Sequence, residues 1–124
     1  MLQVLIVQKH QALGQMWSAH LLGYGISTEV IGTGWSAICC LAASSKHLVA
    51  IDLYPNPSAG FAVADYAAYR LPKVPIMFIA PQMPWADPAL LLNAPNICAV
   101  LGRYTPPEDA AAMIARHAAS AELC

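Results

Sequence analysis

Charge is the scarcest property of this sequence. Six lysines and arginines stand against seven aspartates and glutamates in 124 residues, for a net charge of −1 at pH 7. Nucleic-acid binding requires a basic stripe, and none is present. Intrinsic disorder requires high charge and low hydrophobicity, whereas 58% of this chain is hydrophobic. Long apolar runs are missing as well. No residue from His10 to Thr28 is charged, but Gln, His, Ser and Gly interrupt the stretch. Nothing approaches the roughly 18 apolar residues of a membrane-spanning helix. The start, MLQVLIVQKH, lacks the basic n-region and the full apolar run of a signal peptide. Cys39, Cys40, Cys98 and Cys124 include no C-x-x-C pair, and adjacent cysteines such as Cys39 and Cys40 rarely meet disulfide geometry. Reduced thiols and a cytoplasmic location are therefore the expectation. His10, His20, His47 and His117 show no zinc-ligand spacing among themselves or with the cysteines, so no metal site is expected.

The chain does contain enough apolar residues for one cored domain, expected over residues 1–120, with 121–124 as a tail. Leu2–Val7 is a short β-rich run. Leu13, Met16, Trp17, His20 and Leu21 then recur at helical spacing, and Gly23 and Gly25 stop that helix. Ser27–Ile31 reads as a second strand. Thr33 can cap a second helix on which Trp35, Ile38, Cys39 and Ala42 share a face. His47–Ile51 is a third strand with Asp52 at its end. Two prolines and a glycine make Tyr54–Gly60 a loop, followed by a helix over Phe61–Leu71. Pro75–Ala80 is a fourth strand, and Asp87-Pro88 opens a short helix through Leu92. Ala99–Leu101 is a fifth strand. Thr105 and Glu108 form a capping box for a last helix, with Ala110, Met113, Ile114, His117 and Ala118 on one face. Apolar strands alternating with helices imply a parallel sheet covered on both faces. Right-handed crossovers make this a doubly wound, flavodoxin-like α/β domain.

In such a sheet the site lies at the C-terminal strand ends, where the strand order reverses. For five strands in the order 2-1-3-4-5, this places Gln8, Lys9 and His10 beside Asp52. Here the sequence resembles the CheY-like receiver domain of bacterial response regulators, and the resemblance covers nearly the whole chain. Asp52 falls where that family carries its phosphoacceptor aspartate. Gly34 and Ala37 fit the start of the second helix, Gly60-Phe61 the third, and Val74-Pro75-Ile76 the approach to the fourth strand. Ala99-Val100-Leu101-Gly102-Arg103 runs into Pro107-Glu108-Asp109 as the family's fifth strand runs into its last helix.

The departures define a distinct expectation. The family's acidic pair, which holds magnesium, falls on Gln8 and Lys9. Magnesium takes oxygen ligands in octahedral geometry, and an amide with a cation cannot replace two carboxylates. The small hydroxyl residue that ends the fourth strand falls on Ala80. The lysine after the fifth strand falls on Arg103, which is planar and forked. Its following proline falls on Tyr104, and the aromatic switch position on Val100. Phosphoryl transfer depends on metal and cations to neutralise charge. Lys9, with Arg103, is therefore expected to pair with Asp52 in a degenerate pocket. The implied function is an atypical, pseudo-receiver module that acts by phosphorylation-independent interaction or dimerisation, without cofactor or magnesium. The alternative is a conventional receiver that uses Asp52 as phosphoacceptor.

A third reading is dinucleotide binding. Gly32-Thr33-Gly34-Trp35-Ser36-Ala37 fits G-x-G-x-x-A, with Asp52 twenty residues after Gly32. Against this, the motif follows the second strand rather than the first. Trp35 would also crowd the helix start. No G-x-S-x-G elbow marks a nucleophile, and no enzyme is expected. Trp17 and Trp35 are expected in the core, and His20 and His117 packed on apolar helix faces. From Pro81 to Gly102 the only charge is Asp87, which makes an apolar partner surface the expectation. The receiver resemblance implies a partner or homodimer face on the fourth helix, fifth strand and last helix. Met83, Trp85, Leu91, Val100 and Tyr104 are its candidates, and Trp85 is the anchor. Neither nucleic acid nor membrane insertion is expected.

Overall fold

A computed structural model describes residues 1–54, 56–80 and 96–123. In chain order it contains β1 (Gln3–Val7), α1 (Gln11–Leu22), β2 (Ser27–Ile31), α2 (Gly34–Ala43) and β3 (Leu48–Asp52). These are followed by α3 (Pro57–Arg70), β4 (Ile76–Ala80), β5 (Ile97–Gly102) and α4 (Pro107–Leu123). All strand pairs are parallel, and the sheet order is β2-β1-β3-β4-β5. The short helix expected over Asp87–Leu92 lies outside the described residues, as do Met83, Trp85 and Leu91.

Alternation along the strands divides the interior into two cores. Val4 and Ile6 of β1 join Leu48, Ala50, Met77 and Ile79 under α1 and α4, with Trp17, Leu21 and Ile114. Leu5 and Val7 join Val49, Ile51, Ile76 and Phe78 on the opposite face, under α2 and α3, with Leu41 and Val63. Both parities are apolar because both faces are covered, as a doubly wound sheet requires.

Several local expectations need correction. On α2 the buried stripe is Ala37 and Leu41, not Trp35, Cys39 and Ala42, and Trp35 is 75% exposed. On α1, Gly14, Trp17 and Leu21 are buried, whereas Met16 and His20 face outward. His117 is half-buried. Gly14 is fixed by packing, since a Cβ there would collide with Val30 Cγ1. Helix α3 starts four residues earlier than expected. The Asn56 side chain accepts from the Ala59 N–H (3.4 Å), and Pro57 takes the first helical position, where its missing N–H costs nothing. Strand β5 extends two residues beyond Ala99 toward the N-terminus and one beyond Leu101. The Thr105 hydroxyl turns back to donate to the Gly102 carbonyl (2.7 Å), and α4 starts at Pro107 and continues through Leu123, into the expected tail. The Thr33 cap forms as expected, accepting from the Ser36 N–H at 3.2 Å.

Among the described residues the one ion pair joins Lys46 Nζ to Glu29 Oε1 at 2.6 Å. The Lys46 side chain is 3% exposed and that of Glu29 53%. The hydrogen bond from Lys46 holds the Glu29 carboxyl below its ordinary value of 4.5. A depressed carboxyl pKa contributes stability above the unfolded-state value, which is lost as pH falls through the folded one. Glu29→Gln strands a buried ammonium and is expected to cost about 1–2 kcal/mol at pH 7, discounted for the exposed partner. Urea unfolding at pH 7 and pH 3 checks this: the difference between variant and parent should shrink in acid, and an unchanged difference refutes it.

Candidate functional site

The register of β1 against β3 sets Val7 opposite Ile51, which brings the residues after them, Gln8 and Asp52, together at the sheet's C-terminal end. Gln8 is anchored through its backbone N–H to the Ile31 carbonyl (2.9 Å) and is 1% exposed. Its side-chain Nε2 donates to Asp52 Oδ2 at 2.6 Å, and its Oε1 accepts from the His10 N–H at 3.0 Å. Asp52 is also buried, and its Oδ1 accepts from the Tyr54 N–H at 2.9 Å, a local turn that aspartate favours. Each carboxyl oxygen of Asp52 thus already has a protein donor.

The expected pairing of Lys9 and Arg103 with Asp52 does not form. Consecutive residues leaving a strand point to opposite sides, so when Gln8 turns inward Lys9 turns outward. Lys9 is exposed and lines the cleft above Asp52. Arg103 is held elsewhere, its guanidinium carbon 3.8 Å from the centroid of the Tyr54 ring, a cation–π stack. Its backbone N–H donates to the carbonyl of Ala80, the buried last residue of β4 (2.8 Å). The sequence reading missed Tyr54, which holds Asp52 through its backbone and Arg103 through its ring. An aspartate two residues before a backbone donor was the available signal.

A cleft of about 240 Å³ opens over Asp52, bounded by Lys9, Gly32, Thr33, Tyr54 and Gly60. The G-x-G-x-x-A segment therefore reaches the same cleft, but its residues have structural uses. The Thr33 oxygen is taken by Ser36, and Gly34 makes room for the Ala59 carbonyl of α3, which would lie 3.3 Å from a Cβ. A magnesium ion requires several carboxylate or carbonyl oxygens free to converge. Here an amide nitrogen points at Asp52, and a lysine flanks the cleft. The residues present do not fit that ion. Among the described residues no three His, Cys, Asp or Glu side chains gather into a metal-binding group. Of the expected partner face, Tyr104 is 87% exposed, while Val100 is partly buried against the α2–α3 core.

Cys39, Cys40 and Cys98 do not line this cleft. Cys39 is exposed, and Cys39, Cys40 and Cys98 are all free. Burial pushes the Cys98 thiol up to about 11, and burial together with the Glu29 charge raises that of Cys40. No helix among the described residues is long and apolar enough to cross a membrane.

No family model and no curated protein matches the sequence. Solved structures do match. A CheY-like response regulator receiver domain protein from Methanospirillum hungatei JF-1 superposes with a TM-score of 0.86 at 17% identity, covering 99% of this chain and 98% of that one. The receiver domain of Francisella response regulator 1452 gives 0.82 at 12% identity over 97% and 98%. The non-phosphorylated HemR receiver domain from Leptospira biflexa gives 0.82 at 16% identity over 95% and 94%. With this strand order and superposition over nearly the whole of both chains, the chain has the fold of CheY-like receiver domains.

Proposed function

We propose that this chain is an atypical receiver module of a bacterial two-component-type signalling or assembly system, acting in the cytoplasm through protein–protein contact rather than through phosphoryl transfer at Asp52. The observation that carries this reading is the Gln8–Asp52 hydrogen bond, with Tyr54 holding the other carboxyl oxygen. A phosphoacceptor carboxylate must present an oxygen to the incoming phosphorus, with metal and cations neutralising the transferring group. In this pocket Gln8 supplies a donor where the receiver resemblance implies an acidic metal ligand, and Ala80 has no hydroxyl to offer. Asp52 then works as a structural acceptor that ties the β1 end to the β3–α3 loop. The exposed Tyr104, beside Arg103 at the exit of β5, supports a partner face on β5 and the C-terminal helix.

The test is a two-dimensional amide NMR titration with magnesium and then with beryllofluoride, a phosphoryl mimic. The amides of Asp52, Ala80 and Arg103 are expected not to move. In the variant Gln8→Asp/Lys9→Asp, which rebuilds an acidic cluster around Asp52, magnesium is expected to shift the amides of residues 8, 9 and 52. Saturating shifts in the unaltered chain would mean that it is a conventional phosphoaccepting receiver.

A further inference from the structure

Asp52 is a buried carboxylate with no counter-ion from its own chain. It is 7% exposed, and its donors, the Gln8 amide and the Tyr54 N–H, are both uncharged. Every lysine, arginine and histidine of the sequence falls within the described residues, and none forms an ion pair with it. Buried carboxylates are ordinarily matched by a cation. Magnesium does not fit this pocket, so the matching cation has to be of another kind. A carboxylate offers about four acceptor positions, and the protein uses two of them here. Asp52 can still accept from a ligand.

The cleft of about 240 Å³ over Asp52 carries the opposite charge as well. Lys9 is exposed, lines the cleft and joins no ion pair among the described residues. No third charged residue lines it. One glycine of the lining also has no use in the fold. Gly34 and Gly60 are required by packing, since a Cβ would lie 3.3 Å from the Ala59 carbonyl oxygen and 2.6 Å from Leu53 Cδ2. At Gly32 a Cβ would meet nothing nearer than the Gln8 carbonyl oxygen at 3.9 Å, and its φ is not left-handed. What the missing side chain does there is keep the cleft open and let a bound molecule approach the backbone.

The cleft is smaller than the roughly 300–1,000 Å³ of sites that enclose drug-sized ligands. A dinucleotide overflows it, and a molecule of amino-acid size does not. The charges narrow the choice. An anion alone would face the Asp52 carboxylate, and an amine alone would face Lys9. A ligand carrying both charges satisfies both residues. We infer that the cleft binds a small zwitterion of the chemistry of a neutral α-amino acid, its ammonium donating to Asp52 and its carboxylate meeting Lys9. The inference rests on the reading of this pocket as one that takes no magnesium.

An amide NMR titration of the whole chain with L-alanine and L-glutamine, in magnesium-free buffer, tests it. Saturating shifts are expected at the amides of Lys9, Gly32, Thr33 and Tyr54. Ethylamine and acetate each carry one of the two charged groups and are expected to bind at least roughly tenfold more weakly. Lys9→Met is expected to weaken L-alanine by roughly tenfold while ethylamine binds no worse. Gly32→Ala, which the fold has room for, is expected to weaken both. Both variants should keep the urea midpoint of the parent, so lost binding is not lost folding. Absence of saturating shifts with either amino acid at high millimolar concentration overturns the inference. So does acetate or ethylamine binding as tightly as L-alanine, or a Lys9→Met chain that binds L-alanine like the parent. Saturating magnesium shifts in a separate titration would sink the pocket reading and this inference with it. Silence to magnesium and to both amino acids would sink this inference alone.

Discussion

Gln8→Leu is expected to destabilise the fold by about 2–4 kcal/mol, because one side chain closes a buried and a part-buried hydrogen bond and leucine closes neither. The Asp52 Oδ2 atom, now bonded at 2.6 Å, would face hydrocarbon, and the His10 N–H would lose the Gln8 Oε1 acceptor. The donor pattern also fixes why Asp52 must be an aspartate. The His10 and Tyr54 N–H groups are backbone donors that cannot reverse. Gln8 must therefore give its oxygen to His10 and its nitrogen to Asp52, whose two oxygens both have to accept. Asparagine offers one oxygen and one NH₂, so Asp52→Asn sets donor against donor and is expected to cost about 1–3 kcal/mol. A double-mutant cycle of Gln8→Leu with Asp52→Leu, measured by urea unfolding at pH 7, should return a coupling of about 1–3 kcal/mol. A coupling near zero would mean that the Gln8–Asp52 bond does not hold the pocket, and the structural role assigned to Asp52 would fail with it.

Trp17→Ala is expected to cost about 3–5 kcal/mol, a large share of the roughly 5–15 kcal/mol that stabilises a domain of this kind. Trp17 is 2% exposed and packs with Leu21, Ile26 and Ile114 beneath α1. Removing the indole leaves a cavity between the sheet and two helices that neither can close without losing its own contacts. The indole Nε1 has no hydrogen-bond partner among the described residues. Trp17→Phe removes that unpaired donor while keeping most of the apolar volume, and is expected to stay within about 1.5 kcal/mol of the parent. Equilibrium urea unfolding distinguishes the two substitutions. Equal losses for Phe and Ala would show that the indole nitrogen is satisfied after all.

The scarcity of charge made some features of this fold legible and hid others. Strands such as Gln3–Val7 and Ile76–Ala80 announce burial on both faces because neither parity is polar. Helix phase was harder to read for the same reason. Without charged positions to mark the water side, Gly34–Ala43 is apolar nearly all round, and the spacing of Trp35, Ile38, Cys39 and Ala42 fits as well as that of Ala37 and Leu41. The start of α3 was hidden by reading Pro57 as a breaker, although proline at a first helical position is compatible with a helix.

The candidate site divides along the same line. The residues at the C-terminal ends of β1 and β3 follow from the chain order alone, so Gln8, Lys9 and Asp52 could be named in advance, and the receiver resemblance added Arg103. Their partners could not. Opposite-charge attraction favoured Lys9 for Asp52, yet Gln8 holds it across 44 residues of sequence. Composition, alternation and element order are local properties, and by themselves they determined the class of fold and which strand ends meet. Only the tertiary structure decided that the glutamine turns in and the lysine out. That choice rests on the long-range register of Val7 against Ile51, and a shift of one residue would exchange the two side chains.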